Sequence, residues 1–202
     1  MKKLFLILFI TSLLTINGCI SYQVLLKTHL EKVTNNEIVT NISEAPFTYS
    51  DNELDIKIKN NYRDFIIDFK NKTNKLISIV WDKVSIVYPN GYSYRVFPSD
   101  KLLIDRTRSS VSSPIPPQSN VIMSFCPIQN IKYNYNNYYQ ALSGWEQQNI
   151  INETDKQKSD LINKYSYLIG EKFKIFIPIC DSNNNIYKEL LLQINIDEIE
   201  AR

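Results

Sequence analysis

The chain has 202 residues, with 23 Lys and Arg against 21 Asp and Glu and a formal net charge of +2. Two of the bases are Lys2 and Lys3, so the rest of the chain is balanced and lacks the clustered basic excess that nucleic-acid binding requires. One histidine and four glycines leave little material for imidazole catalysis or a Gly-rich phosphate loop.

Lys2 and Lys3 precede an apolar run from Leu4 to Leu14, interrupted only by Thr11 and Ser12 and closed by Thr15, Asn17 and Gly18. A spanning helix needs about 20 apolar residues. This run is shorter and has the proportions of a secretory signal, which lies outside the mature fold. Ile16-Asn17-Gly18-Cys19 resembles the lipobox of bacterial lipoproteins. The resemblance implies diacylglycerol on the Cys19 thiol, cleavage between Gly18 and Cys19, and acylation of the new amino group. Each buried CH₂ then contributes about 0.8 kcal/mol, and two or more chains make a stable anchor. The chain is expected in the cell envelope, held to a membrane by its N-terminal lipid and facing away from the cytoplasm. Ile20 follows Cys19 where enterobacterial sorting would read an Asp for retention, which by resemblance permits the outer membrane where one exists.

Residues 19–50 are read as a tether with a short helix from Val24 to Val33, and 51–202 as the folded domain. From residue 53 a two-residue period dominates. Leu54, Ile56 and Ile58 alternate with Asp55, Lys57 and Lys59, and Phe65, Ile67 and Phe69 oppose Asp64 and Asp68. Strands are predicted near 54–59, 63–70, 75–81, 84–88 and 92–97, with Pro89-Asn90-Gly91 as a hairpin signal, since Asn and Gly both tolerate positive φ. Prolines make 109–120 an extended loop, not a central strand. It leads into a strand over "VIMSFCPI", and further strands follow over 172–179 and 186–196. Trp81 shares the phase of Ile77 and Ile79 and belongs in the core.

Residues 129–171 break this pattern. Tyr133, Tyr135, Tyr138, Tyr139 and Trp145 come first, then Leu161, Ile162, Tyr165, Leu168 and Ile169 at helical spacing, with Gly170 as the stop. "FIIDFKNKTNKLISIVWDKVSIVYPNGYSYRVF", "PIPPQSNVIMSFCPI" and "IGEKFKIFIPI" resemble a group of uncharacterised bacterial lipoproteins. The resemblance implies an all-β, immunoglobulin-like sandwich with one inserted helix and a lipidated N-terminal tether, and it implies no activity.

No His/Cys cluster has zinc-ligand spacing, and neither metal nor cofactor is expected. His29 is read as an exposed polar residue. Asp64, Asp68, Asp82 and Asp100 are the carboxylates available to a hydrolase, the alternative to a non-catalytic structural or protein- and peptide-binding module. Cys126 and Cys180 lie in the outward phase of their strands. In an exported protein they either pair or remain two free thiols. Tyr133, Tyr135, Tyr138, Tyr139 and Trp145 form the candidate contact patch for envelope proteins or peptides, because Tyr and Trp are enriched at binding hot spots.

Overall fold

A computed structural model describes residues 21–43, 47–101, 108–134, 144–151 and 153–202. Its strands, in chain order, are β1 (Tyr22–Asn35), β2 (Ile38–Asn41), β3 (Tyr49–Ser50), β4 (Leu54–Asn60), β5 (Phe65–Asn71), β6 (Ile77–Ile79), β7 (Ser85–Val87), β8 (Ser93–Pro98), β9 (Ser113–Ile115), β10 (Ser119–Pro127), β11 (Ile131–Asn134), β12 (Gly144–Gln147), β13 (Thr154–Asp155), β14 (Lys172–Cys180) and β15 (Ile186–Ala201). A helix, Lys158–Tyr165, runs into a 3₁₀ turn at Ser166–Leu168. The fold is all-β and sandwich-like, with every strand pair antiparallel.

Hydrogen bonding runs continuously through β13-β1-β15-β14-β7-β8-β10-β5-β4-β3. The ribbon folds over itself at β8. Ser93, Tyr94 and Arg95 pair with β7, while Val96, Phe97 and Pro98 pair with β10. A strand that changes partners along its length is a common way to turn a corner between packed sheets. The layers meet through Phe65 and Phe173, whose ring centroids are 5.4 Å apart, and through Thr28, whose hydroxyl donates to Asn60 Oδ1 at 2.7 Å. Phe65, Phe69, Phe125, Trp81, Ile56, Leu192 and Ile194 fill the space between. The alternation predicted for β4, β5, β14 and β15 is therefore the core pattern. Trp81 is buried as expected, and its indole N–H donates to Ser113 Oγ at 2.6 Å.

Several expectations are corrected. Residues 22–35 are not tether or helix. They form a long strand that pairs along β15 and buries Val24, Leu26, Leu30 and Val33. Register shifts between Lys27 and Thr28 and between Leu30 and Lys32 reset the two-residue phase. The first shift skips Asp197 on β15 and the second skips Glu31 on β1, so burial on β1 changes phase after Leu30 and resumes at Val33, a mixed spacing that mimics a helix. The 109–120 loop contains a short edge strand, β9, which bonds to β6 alone and so accommodates Pro114. At the Asn90-Gly91 turn only Gly91 has positive φ, +85°. Gly91 N–H donates to the Tyr88 carbonyl at 2.9 Å, and Asn90 Oδ1 instead accepts from the Tyr92 amide at 3.1 Å.

Cys126 and Cys180 are both free and both buried, not paired and not outward. They sit on β10 and β14, which are separated by β7 and β8 in the sheet. Phe97 and Ile131 cover Cys126 in a small second cluster. Burial, with Asp64 nearby, pushes the Cys126 thiol up to about 12.

The antiparallel order sets which connections share an end. β1 and β14 start at the end where β4, β7, β10 and β15 finish. The 61–64 turn, the β7–β8 hairpin tip and the described residues between 128 and 171 therefore gather at the end where β1 begins.

Candidate functional site

At that end lies a pocket of about 340 Å³, close to the lower bound of about 300 Å³ for small-molecule sites. Leu26 of β1 and Phe173 of β14 contribute from the sheet. Tyr88, Pro89 and Asn90 come from the β7–β8 tip, Ile150 and Ile151 from the segment after β12, and Tyr165, Tyr167, Leu168 and Glu171 from the helix and its exit. Glu171 is the one charged lining residue.

Local sequence explains the placement of each wall. Tyr88 stands edge-on to Phe173 at 5.2 Å and to Tyr94 at 5.4 Å, the T-shaped geometry that aromatic quadrupoles favour. Its buried hydroxyl lies beside Asn130 and Gln129, and burial drives its pKa well above the usual phenol value. The 148–151 segment is tied down at both ends: Gln148 N–H donates to the Asn130 carbonyl at 2.6 Å and Ile150 N–H to the Tyr62 carbonyl at 2.7 Å. Asn130 Nδ2 adds a bond to the Asn149 carbonyl at 3.2 Å. The helix has the predicted inward stripe, with Leu161 buried and Ile162, Tyr165 and Leu168 packed on the core. Ile169 points outward instead and is 49% exposed. Tyr165 donates its hydroxyl to Glu153, which also pairs with Lys164. Burial and this bond push the Tyr165 hydroxyl up to about 12. Gly170, at φ +85°, ends the helix as expected and donates its N–H to the Ile196 carbonyl at 2.8 Å.

The candidate contact patch is only partly described. Tyr133 and Trp145 are directly opposite one another on the β11–β12 ladder. Tyr135, Tyr138 and Tyr139 lie outside the described residues, as do Gly18 and Cys19. The aromatic residues that do converge on a pocket are others, Tyr88, Tyr165 and Tyr167. Of these, Tyr165 is signalled in the sequence by its place in the helical stripe of 161–169.

Asp64, just before β5, and Asp68 on it are four residues apart, hence about 13 Å along an extended chain, beyond the about 5–9.5 Å of glycosidase pairs. Asp64 accepts from the Ser99 hydroxyl at 2.5 Å. Asp82 is engaged by the Ser109 hydroxyl, the Ser110 amide at 2.7 Å and Arg95 at 3.5 Å. Burial raises its pKa, but these donors outweigh burial and hold it below the usual carboxylate range. Asp100 is an exposed neighbour of Lys101. His29 is not a freely exposed side chain. Its Nδ1 lies 2.7 Å from Asp197 Oδ1, and its ring packs 4.6 Å from Phe47. Among the described residues there is no cluster of three or more His, Cys, Asp or Glu able to hold a metal ion, and no helix long and apolar enough to cross a membrane. No family profile, curated protein or solved structure matches the chain.

Proposed function

We propose that the chain is a lipid-anchored module of the bacterial cell envelope, held to its membrane through Cys19 and acting by binding through the apolar pocket without catalysis. The pocket carries this reading: four separate chain segments converge to build it, and its walls are almost wholly apolar or aromatic. Such a lining, with a small number of polar groups, is the usual form of a ligand site. Of the carboxylates that a hydrolase would need, two are instead engaged in holding neighbouring loops. An immunoglobulin-like ancestry shared with uncharacterised lipoproteins belongs to the same proposal.

Two measurements test it. Metabolic labelling with a fatty acid should mark the wild-type chain and spare Cys19→Ala, with the mature mass beginning at Cys19. An anilinonaphthalene dye should bind the native chain saturably at one site and lose that site in Ile151→Trp, which fills the pocket. An unlabelled, uncleaved chain defeats the anchor. Dye binding that is absent, or indifferent to Ile151→Trp, defeats the site.

A further inference from the structure

We infer that the pocket takes the acyl tail of a phospholipid from the membrane to which the chain is anchored, leaving the headgroup outside. The inference rests on the lipid-anchor reading above and deepens it.

Strand geometry supplies the first support. With β1 beginning at Tyr22, no spacer separates the lipidated residue from the fold. Gln23 is fixed at once by paired backbone bonds with Arg202, at 2.8 and 3.0 Å, and pairs with Thr154. Three residue steps from Cys19 to Tyr22 reach at most about 10 Å. The end of the sandwich where β1 starts is therefore held at the headgroups. Leu26, the pocket's contribution from β1, lies about 13 Å further along the strand. A lipid tail spans half of the roughly 30 Å hydrocarbon layer, so the two lengths are comparable.

The second support is where the other walls stand. β14 starts at Lys172, paired with Asn195, and the Gly170 and Glu171 backbone bonds join Ile196, whose partner on β1 is Thr28. The helix and its exit turn thus occupy the interval between Tyr22 and Thr28, on the membrane side of the sheet. The β7–β8 tip points the same way. Tyr167 of the lining is 69% exposed, and Ile169 beside it is 49% exposed. An exposed tyrosine with an apolar neighbour suits the membrane–water boundary, where the ring is half in and the hydroxyl stays wet.

The third support is the chemistry of the lining. A volume of about 340 Å³ suits one narrow apolar group. Glu171, the lining's one charged residue, would repel an anionic phosphate or carboxylate drawn inside. A tail enters and a charged head does not. A peptide would leave its backbone N–H and C=O groups without partners against such walls, at a cost for each.

The full lipidated chain, purified from membranes and returned to vesicles of phosphatidylethanolamine and phosphatidylglycerol, tests this. The vesicles carry a trace of phosphatidylcholine with a diazirine at the end of one tail. After irradiation, adducts bearing that phospholipid's mass should concentrate on peptides containing Ile150–Ile151 and Tyr165–Leu168. Ile151→Trp should reduce them about tenfold, as expected if it displaces two or so buried CH₂ groups. Ile122→Trp, at a position 71% exposed on β10, should leave them unchanged. If Ile151→Trp lowers the melting temperature, Leu168→Phe provides the filled pocket instead. Pocket peptides without adducts, or adducts spread equally to β10, overturn the inference, as does labelling that survives filling in a stably folded variant. A lipidated chain with an unlabelled pocket defeats this inference alone. A chain whose intact mass shows no lipid on Cys19 defeats the anchor reading and this inference with it.

Discussion

Lys188 is the one buried charged residue among those described, with its side chain 7% exposed between Asp51 at 2.9 Å and Glu53. Asp51 also accepts from the Tyr49 hydroxyl at 2.8 Å and from the Glu53 and Leu54 amides at 2.7 and 2.8 Å. This joins β15, β3 and the start of β4. Burial raises the Asp51 pKa, but Lys188 and the other donors outweigh it and leave the carboxyl below its ordinary value. Removing the ammonium leaves carboxylates facing an uncompensated site, so Lys188→Met should cost about 3 kcal/mol. The sign of the pH dependence follows from the depressed Asp51 pKa. Its contribution is complete above the unfolded value near pH 4 and is lost as pH falls through the folded one. Urea unfolding at pH 7 and at pH 3 checks both points: the gap between wild type and Lys188→Met should narrow at the lower pH. Asn71 is a comparable polar anchor. It is fully buried, its carboxamide donates to the Lys75, Ile115 and Pro116 carbonyls, and its Oδ1 accepts from Thr73. The Asn-Lys-Thr triplet is thus a structural turn whose asparagine is spoken for.

At the scale of elements, alternation made most of the sandwich legible. β4, β5, β14 and β15 bury the residues that a two-residue period selects, because each has one face on the core. β1 was hidden because the extra residue Glu31 breaks that period, and a local pattern cannot reveal a register shift set by the partner strand. The burial of Cys126 was hidden for a related reason. Alternation identifies the face turned from the main core, but Phe97 and Ile131 cover that face from elsewhere in the chain. The pocket was least legible, since its walls come from four segments brought together only by the fold. The status of β1 has a direct consequence. A tether could be deleted without harm, whereas β1 carries Val24, Leu26, Leu30 and Val33 into the core and supplies the long partner of β15. Deleting residues 22–35 should therefore abolish the cooperative thermal transition, while a chain retaining them from Ser21 onward should melt as one unit. Circular dichroism against temperature separates the two outcomes.

For the whole molecule, the proposed lipid anchor would make the short connection between Cys19 and Tyr22 the feature that couples position to binding. A domain on a long flexible stalk would sample many orientations, and its pocket would meet the membrane rarely. If Cys19 carries the proposed lipid, three residue steps remove most of that freedom and would raise the effective concentration of lipid tails at the pocket in the way that any short linker does. The coupling can be broken without touching a single lining residue. A Gly/Ser spacer of about 12 residues inserted between Ser21 and Tyr22 extends the connection by about 17–21 Å on average. It leaves the β1 pairing with β13 and β15 intact, because the first begins at Tyr22 and the second at Val24. The melting temperature should stay at the wild-type value. Photolabelling of the pocket from vesicle lipid should fall severalfold, while dye binding to the same pocket in detergent stays unchanged. That combination assigns the loss to distance from the bilayer and not to damage within the site.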